Sequence, residues 1–244
     1  MKGSLSKLVM EFVGTFLLTL FFVGGGQNGI LLGLWVVNIF FWKICGSHFN
    51  PAVTFAYIFR KDTEVKFSVS LALCYMVAQT LGAFVGALLL NFYTFELPAL
   101  TFVSSFFLRA LLQELFCTFI YVFFFMTNTD EKLLFSNEKA INCFILAASY
   151  VGARAMFAGN VATVSTYGAV MNPAIAMGIQ MSSLLSDGFE AWEAIYLYPT
   201  VPFAASFLAV LFYELVYKKT QAFLAHEDDA SDTSQNDDQM GEHD

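Results

Sequence analysis

Six long apolar runs separated by short polar connections dominate the chain, at residues 5–23, 30–45, 67–91, 104–126, 140–158 and 194–216. A helix rises 1.5 Å per residue, so about 20 apolar residues cross the hydrocarbon core of a bilayer. The pattern therefore predicts six membrane-spanning helices. Two more apolar stretches, 53–59 and 175–181, are too short to span and read as half-helices. The first run follows Lys2 and Lys7, as the apolar region of a secretory leader would. Glu11 interrupts it, however, and it takes part in an internal repeat, so it is read as a span.

Composition agrees with this pattern. Of the 244 residues, 57% are hydrophobic and only 13% charged, against about 25% charged in an ordinary soluble domain. The net charge of −8 is concentrated at one end: eight of the twenty acids fall after His226, where no Lys or Arg occurs. The body is neutral. Residues 226–244 form an acidic tail without apolar periodicity, expected to be disordered and cytoplasmic. Ser231, Thr233 and Ser234 lie among its acids, where phosphorylation is an alternative to a purely solvating role.

The bases fix an orientation. Lys2 and Lys7 precede the first span, and Lys43, Arg60, Lys61 and Lys66 lie between the second and third. Lys132 and Lys139 lie between the fourth and fifth, and Lys218 and Lys219 follow the sixth. Ten of twelve bases thus share one side, opposite Arg109 and Arg154. The positive-inside rule puts that side, with both termini, in the cytoplasm. Arg154, near the outer end of the fifth span, either snorkels to the interface, the favoured reading, or reaches into the vestibule. The four cysteines all fall in apolar runs, without a CxxC or Cys/His cluster. No metal, cofactor or nucleic-acid partner is expected. No nucleophile–base constellation supports an enzyme.

The chain repeats itself. Glu11-Phe-Val-Gly14-Thr15-Phe16 in the first run matches Glu114-Leu-Phe-Cys117-Thr118-Phe119 in the fourth. An Asn-Pro-Ala follows each, at Asn50-Pro51-Ala52 and Asn172-Pro173-Ala174, 39 and 58 residues after the respective glutamate. The halves are about 1–98 and 99–225, with three spans and one half-helix each. Three is odd, so the second half enters the membrane from the opposite face. Such inverted repeats build a site at mid-membrane from discontinuous helices. Asn is a favoured N-cap and Pro a favoured first helical residue, so each turn starts a half-helix. A given tripeptide arises by chance about once in several thousand positions, which makes two copies in matching places a specific signal.

These features resemble the aquaporin (major intrinsic protein) family. The resemblance rests on the double Asn-Pro-Ala, on Gly46-Ser-His48-Phe-Asn50-Pro51-Ala52-Val53-Thr54, on Glu-x-x-Gly-Thr-Phe and on Ala78-Gln79-x-x-Gly82-Ala83. It covers roughly residues 5–217. It implies an all-α membrane protein of six tilted helices plus two re-entrant half-helices, assembled as a homotetramer with one pore per subunit. Asn50 and Asn172 would then donate to a passing oxygen where two positive helix ends meet. That arrangement disfavours cations and breaks proton relay. Glu11, Glu114 and Gln79 would brace the re-entrant loops, since an intramembrane carboxyl needs partners; His48 would brace its loop as well or touch the inner vestibule. Gly82, Ala83, Gly86 and Ala87 suit close helix packing.

One position departs from the family, which usually carries Arg after the second Asn-Pro-Ala. Here it is Ile175. Carried over by spacing, the selectivity filter is Ile30, Asn160, Ala169 and Ile175, without a cation or an aromatic ring. The expected function is a passive channel for water and small neutral solutes such as glycerol, urea or ammonia, in the plasma membrane or an intracellular vacuolar membrane. The alternative is a structural or junctional membrane protein of the same fold with little conduction. Epitopes at the N-terminus and after Lys219 should both resist external protease in intact cells. Cleavage of either would exclude the six-span inverted repeat.

Overall fold

The computed structural model describes residues 2–61, 67–94, 100, 107–157, 168–192 and 194–225. The acidic tail, the boundary between the halves and Asn160 lie outside the described residues. The helices are α1 (Lys2–Gly24), α2 (Gly26–Cys45), α3 (Pro51–Phe59), α4 (Val69–Thr94), α5 (Phe107–Thr127), α6 (Lys139–Ala155), α7 (Pro173–Asp187) and α8 (Val201–Phe212). A 3-10 turn, Gly188–Trp192, follows α7, and a π-helical turn, Tyr213–Tyr217, continues α8. Among the described residues there is no strand.

Among the described residues, five helices are long and apolar enough to cross a membrane: Ser4–Gly24, Gly26–Cys45, Val69–Thr94, Phe107–Thr127 and Val201–Ala225. α6 has 17 described residues and carries the remaining predicted span. Two boundaries differ from the apolar pattern. The last span begins at Val201 rather than 194, because Pro199 lacks an N–H and residues 194–200 make turns instead. Pro202 then sits in the first turn, where a missing N–H costs nothing. The second short helix runs to Asp187, beyond the apolar stretch ending at 181. Its serines do not break it: the Ser183 hydroxyl donates to Ile179 O at 2.9 Å.

Small residues decide how closely the helices approach. A Cβ on Gly82 would lie 2.2 Å from Phe12 O, and one on Gly86 would lie 2.9 Å from Phe16 O, so α4 meets the backbone of α1 directly. On its other side α4 receives α7, where a Cβ on Gly178 would lie 2.6 Å from the Ala83 carbonyl carbon. Close backbone approach of this kind is the usual way apolar helices associate in lipid. α3 packs on α8 and α7 packs on α4. Each short helix is therefore seated on the last long helix of the other half.

This packing sets an expectation for two glycines on long helices. Gly82→Ala should destabilise the detergent-solubilised protein by about 1–3 kcal/mol through overpacking. Gly152→Ala, where a Cβ meets nothing within 4 Å, should be neutral. Thermal unfolding monitored by size-exclusion recovery separates the two; equal midpoints would show that α1 and α4 tolerate a wider spacing.

Candidate functional site

The two Asn-Pro-Ala turns meet head to head. Asn50 and Asn172 are extended N-caps. Asn50 Oδ1 accepts from Ala52 N at 2.8 Å, and Asn172 Oδ1 accepts from Ala174 N at 3.0 Å and Ile175 N at 3.4 Å. Pro51 and Pro173 take the first helical positions, where their fixed φ suits the helix. Each amide nitrogen reaches across to the other turn. Asn50 Nδ2 donates to Met171 O, and Asn172 Nδ2 donates to Phe49 O, both at 2.8 Å. The result is a reciprocal clasp between the N-termini of α3 and α7, with Ala52 and Ala174 fully buried behind it.

The residue before each asparagine is left-handed: Phe49 has φ 46° and Met171 φ 56°. Such a backbone costs a bulky L-residue about 1–3 kcal/mol and persists only when its surroundings hold it. Two buried glutamates do so. Glu11 accepts from His48 N at 3.0 Å and from Phe49 N at 2.8 Å. Glu114 accepts from Val170 N and, at 2.9 Å, from Met171 N. Both side chains are fully buried, so each carboxyl satisfies two loop N–H groups that have no access to water.

The first turn carries additional polar support. Gln79 Nε2 donates to Glu11 Oε2 at 2.7 Å and to Thr54 Oγ1 at 2.9 Å. His48 Nδ1 lies 3.1 Å from Thr54 Oγ1. The imidazole is enclosed by the rings of Tyr57, Phe67, Tyr75 and Phe125. It is buried among these rings, 4% exposed. Gly14 explains the small position in the repeated motif. A Cβ there would lie 2.0 Å from the Phe49 ring, so the ring needs that gap. Cys117 occupies the matching position in α5, and its thiol donates to Ala153 O at 3.1 Å.

Three of the four positions assigned to a filter are described. Ile30, Ala169 and Ile175 are each at most 1% exposed and belong to one buried apolar cluster. Asn160 is not described. Arg154 differs from its expected snorkelling. It turns inward and is 8% exposed. Its Nη1 donates to Ala169 O, and its guanidinium carbon lies 4.4 Å from the Phe22 ring centroid. One turn earlier, the Tyr150 hydroxyl donates to Val170 O at 2.7 Å. An inward face on α6 was legible in the i, i+4 spacing of Tyr150 and Arg154.

A second polar cluster, not anticipated from the sequence, ties the far end of α3. Arg60 Nη1 donates to Thr129 Oγ1 at 2.7 Å and to Tyr57 Oη at 3.1 Å, and the Arg60 guanidinium lies 3.9 Å from Asp130. The Tyr213 hydroxyl also donates to Asp130. These contacts pin α3 to the α5–α6 connection and to the π-helical turn. Among the described residues, no three His, Cys, Asp or Glu side chains are grouped as a metal site would require.

Comparison with known proteins bears directly on this architecture. The family described as "MIP: Major intrinsic protein" matches residues 2–213. The chain belongs to the major intrinsic protein family. Aquaporin PIP2-5 of Oryza sativa subsp. japonica is 29% identical over 192 residues, covering 72% of this chain and 60% of the relative. Aquaporin PIP1-1 of Musa acuminata is 30% identical over 182 residues, with the same coverage. The chain thus spans about three fifths of the length of these curated relatives. The X-ray structure of the aquaglyceroporin from Plasmodium falciparum superposes with a TM-score of 0.68 at 20% identity, covering 88% of this chain and 97% of that one. This major intrinsic protein therefore has the aquaporin fold and is an integral membrane protein.

Glu114→Ala should strand the N–H groups of Val170 and Met171 at about 1–3 kcal/mol each and sharply reduce the monodisperse fraction in detergent. Glu114→Gln, which keeps an acceptor, should recover part of the loss. Normal folding of the Ala variant with loss of solute flux alone would instead put Glu114 on the permeation path.

Proposed function

We propose that this protein is a passive transmembrane channel for water and small neutral solutes, with a selectivity region lacking the family's usual Arg. The reading is carried by the reciprocal clasp of Asn50 and Asn172. Each amide nitrogen has two hydrogens; one goes to the opposite turn, and this reading assigns the other to a permeating oxygen. Both turns sit at helix N-termini, whose partial positive charges repel cations. A solute oxygen held by two fixed donors cannot pass a proton along a water file. The clasp also sets the donors' spacing without help from the permeant.

Ile30, Ala169 and Ile175 make the outer narrowing apolar on this reading, so neutral solutes larger than water are admitted. The two halves, about 1–98 and 99–225, function as inverted repeats around one pore. The distribution of Lys and Arg supports cytoplasmic termini, and the family supports a homotetramer in the plasma membrane or a vacuolar membrane. One observation favours the non-conducting alternative: the side chains of Asn172 and Ile175 are fully buried.

Stopped-flow measurements on proteoliposomes decide between these readings. The expected outcome is water flux well above protein-free vesicles, with measurable glycerol, urea or ammonia flux. Ile175→Arg should lower the ratio of glycerol to water permeability by roughly tenfold, the effect of placing a bulky cation at a narrow pore. An unchanged ratio in a well-folded variant would place Ile175 away from the constriction. Absence of all flux would favour the structural role.

A further inference from the structure

Away from the Asn-Pro-Ala turns, the structure holds a separate cavity of about 120 Å³. It lies at the end of the bundle where α2 and α5 finish and α6 begins. Trp42 and Leu146 give it apolar walls, and Asn128, Asn142, Glu131 and Lys139 give it polar ones.

The two asparagines are fixed in orientation. Asn128 Nδ2 donates to Asn142 O at 2.8 Å, and Asn142 Nδ2 donates to Ser136 O at 2.7 Å. Exchanging oxygen for nitrogen in either amide would set two acceptors face to face. The oxygens are therefore identified, and among the described residues neither Oδ1 has a hydrogen-bond partner. Asn128 is only 2% exposed, and an unsatisfied acceptor at such a depth is costly. Two such acceptors in the wall of one cavity require an occupant that brings hydrogen-bond donors.

Charge narrows the chemistry further. Glu131 and Lys139 both stand exposed at the rim. Among the described residues, neither takes part in an ion pair. One small cavity thus offers a negative and a positive group that do not neutralise each other. The amide oxygens and Glu131 select an ammonium, and Lys139 selects a carboxylate. A simple amine would leave Lys139 facing a like charge. A simple carboxylate would leave Glu131 and two amide oxygens facing an anion. A ligand carrying both signs matches every one of these groups.

We propose that this cavity binds a small zwitterion of the α-amino acid class. Its ammonium lies with Asn128, Asn142 and Glu131, its carboxylate with Lys139, and its side chain against Trp42 and Leu146. The volume admits a molecule of a few heavy atoms, not a drug-sized ligand. The site goes beyond the channel reading above and does not depend on it.

The test is equilibrium dialysis of the full-length, detergent-solubilised protein against radiolabelled L-alanine, with propionate and ethylamine as competitors. Saturable binding of L-alanine is expected. Each competitor should bind about tenfold more weakly or worse, because each leaves a charge uncompensated. K139Q should weaken L-alanine about tenfold without weakening ethylamine, and E131Q should weaken L-alanine similarly without weakening propionate. Both side chains are exposed, so these substitutions leave the packing intact. N128L, which removes one of the orphaned acceptors, should also lower affinity for L-alanine. Should it not remain monodisperse, K139Q and E131Q decide the matter. Equal binding of L-alanine and ethylamine, or unchanged L-alanine affinity in both charge variants, would overturn the assignment. Absence of saturable binding by all three probes would overturn the site itself and leave the amide oxygens to water.

Discussion

Everything at the centre of this molecule depends on two carboxyl groups presenting oxygen to backbone that no water can reach. Glu11 and Glu114 each take two consecutive N–H groups of a re-entrant turn. That pairing holds Phe49 and Met171 in a left-handed conformation neither residue favours. Once they are held, the carbonyls of the same two residues point at the opposite turn, where Asn172 and Asn50 donate to them. The N-terminal amide groups of α3 and α7 then converge on one level. Removing the carboxyls would leave the strain unsupported, and the clasp would lose its acceptors.

Much of this was readable in the residues. The Glu-x-x-small-Thr-Phe repeat and the two Asn-Pro-Ala turns determined the number and seating of the elements, because an intramembrane carboxyl and an Asn-Pro each restrict the backbone to few solutions. The ends of α7 and α8 were less legible. Ser182 and Ser183 look like a stop to an apolar count, yet the Ser183 hydroxyl is satisfied by the preceding turn and Ser182 Oγ accepts from Asn91, so the helix continues. Pro199 and Pro202 determined where the last span begins, which hydropathy does not register. The clasp was also hidden, since which carbonyl an amide meets depends on how two distant turns dock.

Arg154 shows the limit of position-by-position transfer from a family. A charge near a span's end normally snorkels outward. What turns this one inward is a ring on α1 and a carbonyl 15 residues along the chain, and both come within reach only after packing. The repeat is likewise symmetric in its braces but unequal in its fittings. Phe49 needs the absence of a side chain at Gly14, whereas the second half carries Met171 and Cys117. His48, Gln79 and Thr54 surround the first turn, while Tyr150 and Arg154 serve the second.

The crossed amide bonds also constrain how the chain is made. The carbonyl of Phe49 finds its donor in a residue synthesised 123 positions later, and Asn50 waits across 121 positions for Met171. Until the ribosome has delivered the second half, the first turn holds a polar group that lacks the partner it has in the folded protein. At elongation rates of about 5–20 residues per second, that interval lasts several seconds or more. During it the turn must stay hydrated, within the translocation machinery or at the membrane surface. The crossed bonds of α3 can close only after α7 has been made, so the docking of the two turns is a late event in assembly, completed when α8 packs on α3.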